Sequence, residues 1–290
     1  MPETVAAVIV HRGRPHHCLG ALAALRRQGV DVRPVVVDNG SEPEDLEALR
    51  AGAPDVEVVL LGANRGYGPA ANVGLRRWLE SGEGEWVVVA PDDAMPDADC
   101  LAALLAAVRN RPRVGVVSAE FGEGHEYSPT VDRVLGPYLR GVRRREGFEC
   151  ADFGHGTLLC LRRGCLEDIG LFDEEFFAYC EEADLGLRAR ARGWEVGFVW
   201  GAVVRNGDPS ASALRLYLEL RNTLRLVEKH FGPDAARTRL RIARVSWLAS
   251  VVLRHRVPAL ARRHAIADYR ARRFGPPPDA MIPSGGSVGR

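Results

Sequence analysis

Through the first 120 residues, short apolar runs rich in β-branched side chains alternate with stretches of helical periodicity. The runs are TVAAVIV (4–10), VRPVVVDNG (32–40), VEVVLL (56–61), EWVVVA (85–90) and VGVVSAE (114–120). Between them lie HHCLGALAALRRQG, SEPEDLEALRAG, GPAANVGLRRWLESG and DADCLAALLAAVRNRP, with apolar residues three or four apart. No other feature narrows the fold so far. Strands joined by helices pair in parallel, and continuous apolar runs need cover on both faces. The expected class is α/β, a mostly parallel sheet flanked by helices. Local signals place the helix ends. Gly29 closes the first, Ser41 with Glu44 makes a capping box for the second, and Pro69 lies in the first turn of the third.

Ligands of such sheets bind beyond the carboxyl ends of the strands. Those ends carry His11, Asp38, Asn64 and the pair Asp92/Asp93, so four polar ends converge on one crevice. The pattern then loosens. Residues 121–148 mix Gly and charge with little periodicity, as a mobile loop would. FGHGTLLCLRRGCLEDIG reads as a strand and turn, EEADLGLRARARG as a short helix and WEVGFVWGAVVRN as a strand. From Leu214 the pattern is helical, with a long basic helix from Ala235 interrupted at Pro258. The tail 274–290 is rich in Pro, Gly and Ser and is expected to be disordered. The domain reading is 1–213 for the main unit, divided at 120, and 214–273 for a helical extension.

Charge and cysteine usage exclude some classes. The 39 basic and 38 acidic side chains nearly balance, so bulk charge implies no polyanionic partner. From Arg205 onward, however, 17 Lys and Arg face 6 Asp and Glu, against 22 and 32 before it. The basic helices could meet an anionic membrane, pair with a second copy, or dock on the acidic body. Their Arg residues are not interleaved with stacking aromatics, which argues against nucleic acid. The six cysteines show no CxxC spacing and sit mostly among apolar neighbours, favouring a reducing compartment. No signal peptide is read at the start, and VSWLASVVL is too short to span a bilayer, so a cytoplasmic location is expected.

Three motifs carry candidate chemistry. Asp38-Asn39-Gly40 is either a self-contained Asx-turn or a carboxylate facing a nucleotide base. NRGYGPAANVG matches the dinucleotide fingerprint loosely at Gly66, Gly68 and Ala71, but lacks the acidic residue that fingerprint expects about 20 residues on. Its Gly-rich turn could still hold an anion at a helix N-terminus, near Asn64, Arg65 and Asn72. Asp92 and Asp93 end an apolar strand and are explained by a solvated turn, a helix N-cap at Asp97, an internal Arg, or a divalent cation bridging them to a diphosphate. In FDEEFFAYCEEADLGLR, the acids Glu181, Glu182 and Asp184 open a helix. They suit its dipole, and Asp184 with Arg188 makes an i,i+4 pair. A carboxylate beside Phe176, Phe177 and Tyr179 would also have a raised pKa and could take a proton from a hydroxyl.

In order along the chain, VDNGS, NRGYGPAANVGL, PDDA, GHGTLLCLRRGCLEDIGLFDEEFFAYCEEADLGLRARARGW and LELRN resemble the family two glycosyltransferases, especially the bacterial rhamnosyltransferase-like branch. The resemblance runs from about Val5 to Phe231. It implies a GT-A fold, Rossmann-like, and inverting transfer from a nucleoside-diphosphate sugar to an acceptor hydroxyl. It implies Glu182 as catalytic base with Glu181 beside it, and Mg²⁺ or Mn²⁺ at Asp92/Asp93. Val10, His11, Arg12, Asp38, Asn64, Gly66, Asn72, Asp92 and Arg205 would bind the nucleotide sugar. Gly154, His155 and Gly156 would face the acceptor; Arg188 and Trp194 would be structural. Departures are the Glu at the base position, Pro91 in place of a first acid, and Arg205 where many members have a metal-binding His. Rival readings are a sugar nucleotidyltransferase, a nicotinamide-dependent oxidoreductase and an inactive sugar-nucleotide-binding relative.

Overall fold

The computed structural model describes residues 4–122, 126–207 and 212–281. Its strands are β1 (Thr4–His11), β2 (Asp31–Asp38), β3 (Glu57–Leu60), β4 (Trp86–Pro91), β5 (Met95–Pro96), β6 (Val114–Phe121), β7 (Tyr127–Asp132), β8 (Gly136–Gly141), β9 (Gly147–Cys150), β10 (Leu159–Arg162) and β11 (Glu195–Arg205). The helices are α1 (Pro15–Leu25), α2 (Pro43–Gly52), α3 (Tyr67–Ser81), α4 (Cys100–Val108), α5 (Arg163–Ile169), α6 (Glu181–Ala191), α7 (Ala213–Val252) and α8 (Arg256–Arg270).

The main sheet runs β3-β2-β1-β4-β10-β6-β11-β5, with β9 on β11. The first four strands are parallel, and β10 enters antiparallel between β4 and β6. Strand order reverses at β1, which has β2 on one side and β4 on the other, so a crevice opens at their carboxyl ends. Register sets His11 beside Asp38 and Val10 beside Pro91. Side-chain alternation explains the continuous apolar runs: Val5, Ala7 and Ile9 of β1 enter one core, while Val8 and Val10 enter the other. β4 divides likewise, Trp86, Val88 and Ala90 against Val87 and Val89.

The α/β class and mostly parallel sheet agree with the expectation, and several local readings do not. Ser41 is not an N-cap: α2 begins at Pro43, and the Ser41 hydroxyl binds Asp38 instead. Pro at N1 fixes φ for the helix start without a side-chain cap. The region expected as a mobile loop contains the β7–β8 hairpin and strand β9; Glu123–His125 lie outside the described residues. Its low hydrophobicity reflects a two-stranded sheet apart from the main one. LRRGCLEDIG is a strand and a helix, not a turn, because Cys165 and Leu166 pack into the second core.

In the C-terminal region the long basic helix breaks at residues 253–255, between α7 and α8, a few residues before Pro258, which sits in the first turn of α8, where proline is tolerated. α7 itself bends at Gly232, whose φ of 85° is not helical, followed by Pro233. Residues 274–281 are also ordered against the body. Met281 is buried with Tyr217, Leu224 and Ala265, and Gly275 accepts a hydrogen bond from buried Arg221. The remainder of the expected disordered tail, 282–290, lies outside the described residues. Among the described residues no helix is long and apolar enough to cross a membrane.

Candidate active site

At the carboxyl end of β4, Asp92 is buried and its oxygens are occupied. Oδ2 lies 2.9 Å from His11 Nδ1 and accepts from the Arg12 backbone N–H at 3.2 Å, while Oδ1 binds Arg14. Arg14 also reaches Asp93 Oδ2 at 3.2 Å. The counter-charge in this structure is therefore an internal arginine from the loop after β1, one of the alternatives open in the sequence. His11 lies behind Asp92, fully buried, so it orients that carboxylate and does not face a base. Arg12 stays available: its Nε is buried without a hydrogen-bond partner.

Asp92 and Asp93 thus separate. Asp92 belongs to a closed cluster in which both of its oxygens already have partners. Asp93 is partly exposed, and its other oxygen has no partner among the described residues. Among the described residues no cluster of three or more His, Cys, Asp or Glu side chains able to hold a metal occurs. The donor set fits a hard cation in one way only: Asp93 as a single carboxylate ligand, with phosphate and water completing the shell. Arg14 competes for that carboxylate.

The turns after β2 and β3 are knitted to each other. Asp38 accepts from the Gly40 and Ser41 N–H groups and from the Ser41 hydroxyl, the geometry of the Asx-turn. Asn39 donates to Asn64 Oδ1 at 3.1 Å and accepts from the Arg65 N–H at 2.8 Å. Asn64 accepts in turn from the Gly66 N–H at 3.0 Å, and the Tyr67 N–H donates to the Phe177 carbonyl at 2.7 Å. These bonds use the amides that an anion would need, so Asn64 and Gly66 hold the loop and do not cradle a phosphate. Gly66 is required for another reason. Its φ is 96°, and a Cβ there would stand 2.2 Å from the Phe177 carbonyl oxygen. Asn72 likewise faces away from the crevice, donating to the Phe172 carbonyl and to Glu174.

A cleft of about 610 Å³ opens beside this end of the sheet, with Tyr67 and Pro91 on one wall and Glu181 and Glu182 on another. His155, Gly156, Tyr179, Asn206 and Arg215 also line it. α6 starts at Glu181 because Cys180, at φ 74°, turns the chain sharply. Both glutamates then enter the first helical turn beside buried Phe176, Phe177 and Ala183. One oxygen of each is buried without a hydrogen bond, and neither forms an ion pair among the described residues. Burial raises the pKa of both. Glu182 reaches about 7, and Glu181 rises well above the usual carboxylate range, its neighbour's charge adding to the effect.

Asp184 behaves oppositely although it is also buried. Arg188, Lys229 and His230 surround it and hold its carboxyl well below the usual range, overcoming desolvation. Arg188 also donates to the carbonyls of Ile169 and Leu171, and Trp194 donates to Asp168. These residues brace α6, as the structural reading has it.

Of the residues expected to face an acceptor, His155 and Gly156 line the same cleft as Glu182. A Cβ on Gly156 would lie 3.5 Å from Glu182 Oε1, so glycine leaves that carboxylate open. Gly154 is packed tightly on Leu159. His155 stacks on Phe121 with centroids 4.8 Å apart, and burial drops its pKa to about 4, so the ring is neutral. Arg205 does not join the site: it pairs with Asp97 on the surface.

Sequence reasoning missed Arg14, Asn39, Tyr67 and Asn206. Arg14 could have been found by asking which cation lies near an aspartate pair across a β1–β4 neighbour pairing. The Tyr67 hydroxyl is buried without a partner, and burial together with the charges of Glu181, Glu182, Asp93 and Asp92 keeps it protonated. Asn206 presents a buried, unpartnered Oδ1 in the cleft.

Comparison with known proteins follows this geometry. The sequence profile described as Glycosyltransferase like family 2 matches residues 2–224. An N-acetylglucosaminyl-diphospho-decaprenol L-rhamnosyltransferase of Mycobacterium tuberculosis is 32% identical over 203 residues, 59% of this chain and 66% of the relative. A hexosyltransferase of low-salt glycan biosynthesis from Haloferax volcanii is 27% identical over 209 residues, covering 65% and 64% of the two chains. The chain therefore spans just under two thirds of the length of these relatives. Among solved structures, GalNAc-T7 with UDP, GalNAc and Mn²⁺ superposes with a TM-score of 0.63 at 14% identity, over 78% of this chain and 48% of that one. A mannosyltransferase from Pyrobaculum calidifontis with GDP-Man and Mn²⁺ gives 0.56 at 17% identity, over 94% and 89%. At such identities the likeness establishes a shared fold.

Proposed function

This chain belongs to glycosyltransferase-like family 2, and from that premise we propose that it transfers a sugar from a nucleoside-diphosphate sugar to an acceptor hydroxyl, with inversion at the anomeric carbon. The observation that carries the reading is Glu182. Its carboxylate lines the cleft, forms no ion pair among the described residues, and is raised by burial to a pKa of about 7, the condition for a general base at work.

In the proposed reaction Glu182 accepts the proton of the acceptor hydroxyl. That oxygen bonds to the anomeric carbon from the face opposite the leaving group, and the carbon–oxygen bond to the diphosphate breaks. The nucleoside diphosphate leaves with the bonding pair. Glu181 stays protonated beside Glu182, so the pair carries one negative charge. Gly156 leaves room for the acceptor, and the neutral His155 offers a stacked, uncharged wall. Arg12, at the end of β1 with an unpartnered Nε, is the candidate contact to the donor diphosphate, and Asp38 the candidate contact to its base. Asp93 would hold Mg²⁺ or Mn²⁺, which when bound supplies positive charge to the departing diphosphate.

The test has two parts. Thermal-shift titration with UDP-, GDP- and dTDP-sugars should show one class stabilising the chain, with free nucleoside diphosphate released on turnover. Release of pyrophosphate would instead identify a nucleotidyltransferase. Binding without any release, across all acceptor hydroxyls offered, would identify an inactive sugar-nucleotide-binding protein.

A further inference from the structure

A second pocket, of about 400 Å³, adjoins the cleft and shares Pro137, Tyr179, Glu182 and Glu219 with it. Its other end is made by the C-terminal helices: Arg239 and Ser246 of α7 and Arg262 of α8. A continuous path therefore leads from Glu182 to two guanidinium groups. Arg239 is partly buried, its Nε is buried without a hydrogen bond, and it pairs with no carboxylate among the described residues. Burial lowers its pKa. Arg262 donates to the Ser250 hydroxyl at 2.6 Å and likewise has no carboxylate partner there. Two carboxylates do line the pocket. Glu219 is already bound by Arg215 at 2.8 Å, and Glu182 stands at the reaction end. A desolvated guanidinium without a counter-ion is costly, and an anion with several oxygens relieves that cost for both arginines at once.

The same helices indicate what carries the anion. Ser246 lines the pocket, and Val251 lies about 8 Å further along α7 at 1.5 Å per residue. There Val251, Val252, Leu253 and Val257 stand 50–79% exposed at the α7–α8 turn, beside Arg254 and Arg256. An apolar tip with an arginine rim is complementary to an anionic bilayer surface.

We propose that Arg239 and Arg262 hold the phosphate or diphosphate of a lipid-linked acceptor, whose sugar hydroxyl reaches Glu182 while the α7–α8 tip rests on the membrane. The proposal rests on the transfer reading above and adds the acceptor's chemical class. Octyl diphosphate and inorganic pyrophosphate are titrated into the full chain with its donor crevice saturated by nucleoside diphosphate. Octyl diphosphate should bind. Arg239→Gln and Arg262→Gln should each weaken it about ten-fold and the double variant abolish it, with nucleoside diphosphate affinity within about two-fold of wild type. Unchanged octyl diphosphate affinity in the double variant, or its complete displacement by nucleoside diphosphate, overturns the proposal. Pyrophosphate binding as tightly as octyl diphosphate, with no sedimentation on anionic vesicles, overturns the lipid source.

Should the glutamine variants melt early, wild type carries the test through salt. Affinity must fall between 0.05 and 0.5 M NaCl (~ a Debye length from 14 to 4 Å), and salt independence overturns the proposal. Nucleoside-diphosphate release from sugar nucleotide is measured alongside. Octyl diphosphate binding without any donor release would refute the transfer reading alone; donor release without octyl diphosphate binding would refute the acceptor assignment alone.

Discussion

Asp92 and Asp93 meet a guanidinium, an imidazole nitrogen and a backbone N–H, whereas Glu181 and Glu182 meet no cation among the described residues. Both pairs follow an abrupt chain turn or strand end, and the charge of each reaches Tyr67. The difference lies in what was built around them. Arg14 neutralises the first pair by binding one carboxylate oxygen of each. The second pair is buried with no ion-pair partner among the described residues, so burial raises the pKa of both, Glu182 to about 7 and Glu181 well above the usual carboxylate range. Two identical chemical groups are thereby given separate tasks, one holding charge in place and the other moving a proton.

The contrast can be broken most sharply at Glu182. Glu182→Gln is expected to lower turnover by about 10²–10⁴ while donor affinity, by calorimetry, stays within about two-fold. Turnover near wild type would mean that Glu182 is not the base. Next in size is the split within the aspartates. Asp92→Asn removes a buried charge from the His11–Arg12–Arg14 cluster and should cost about 2–4 kcal/mol in denaturant unfolding. Asp93→Asn should leave stability within about 1 kcal/mol and instead abolish activation by Mn²⁺. Equal destabilisation by both would erase the distinction drawn between them.

The pH dependence sharpens the same comparison. Glu182 must be ionised to accept a proton, so turnover should rise with pH through about 7 and then level. Stability runs the other way. Its folded pKa lies above the ordinary value of 4.5, so the neutral form favours the fold; this contribution is complete below 4.5 and lost as pH rises through 7. Glu182→Gln should therefore melt higher than wild type above pH 7 and converge with it at pH 4, in paired thermal scans. Tyr67→Phe is smaller: deleting a buried hydroxyl without a partner should leave stability unchanged or raise it by up to about 1 kcal/mol, while turnover falls if that hydroxyl contacts the donor. Least of all, Arg205→Ala breaks only an exposed pair with Asp97 and should change stability by no more than about 0.5 kcal/mol.

How much was legible varies with the range of the interaction. The first five alternating runs became strands because period-2 burial and helix-length spacing are local properties of the chain. Asp184 with Arg188 was readable for the same reason, being one helical turn apart. The hairpin β7–β8 was not, since its strands pack away from the main sheet and carry no long apolar run. Ser41 misled because a serine three residues after a strand serves equally well as an N-cap or as a partner for the aspartate behind it; only the path of the chain chooses.

By itself the sequence determined the α/β class, the place of the crevice at the strand ends, and the family to which the ordered motifs belong. Each follows from periodicity or from residues close together along the chain. Tertiary structure alone decided which acids are paired and which are not, because Arg14 meets Asp92 at a sequence separation of 78. It also decided that the Gly66 turn is closed by Phe177 and is not open to phosphate. Partners so distant in sequence leave no spacing to read, and it is the partner that sets whether a carboxylate is held as an anion or left free to take a proton.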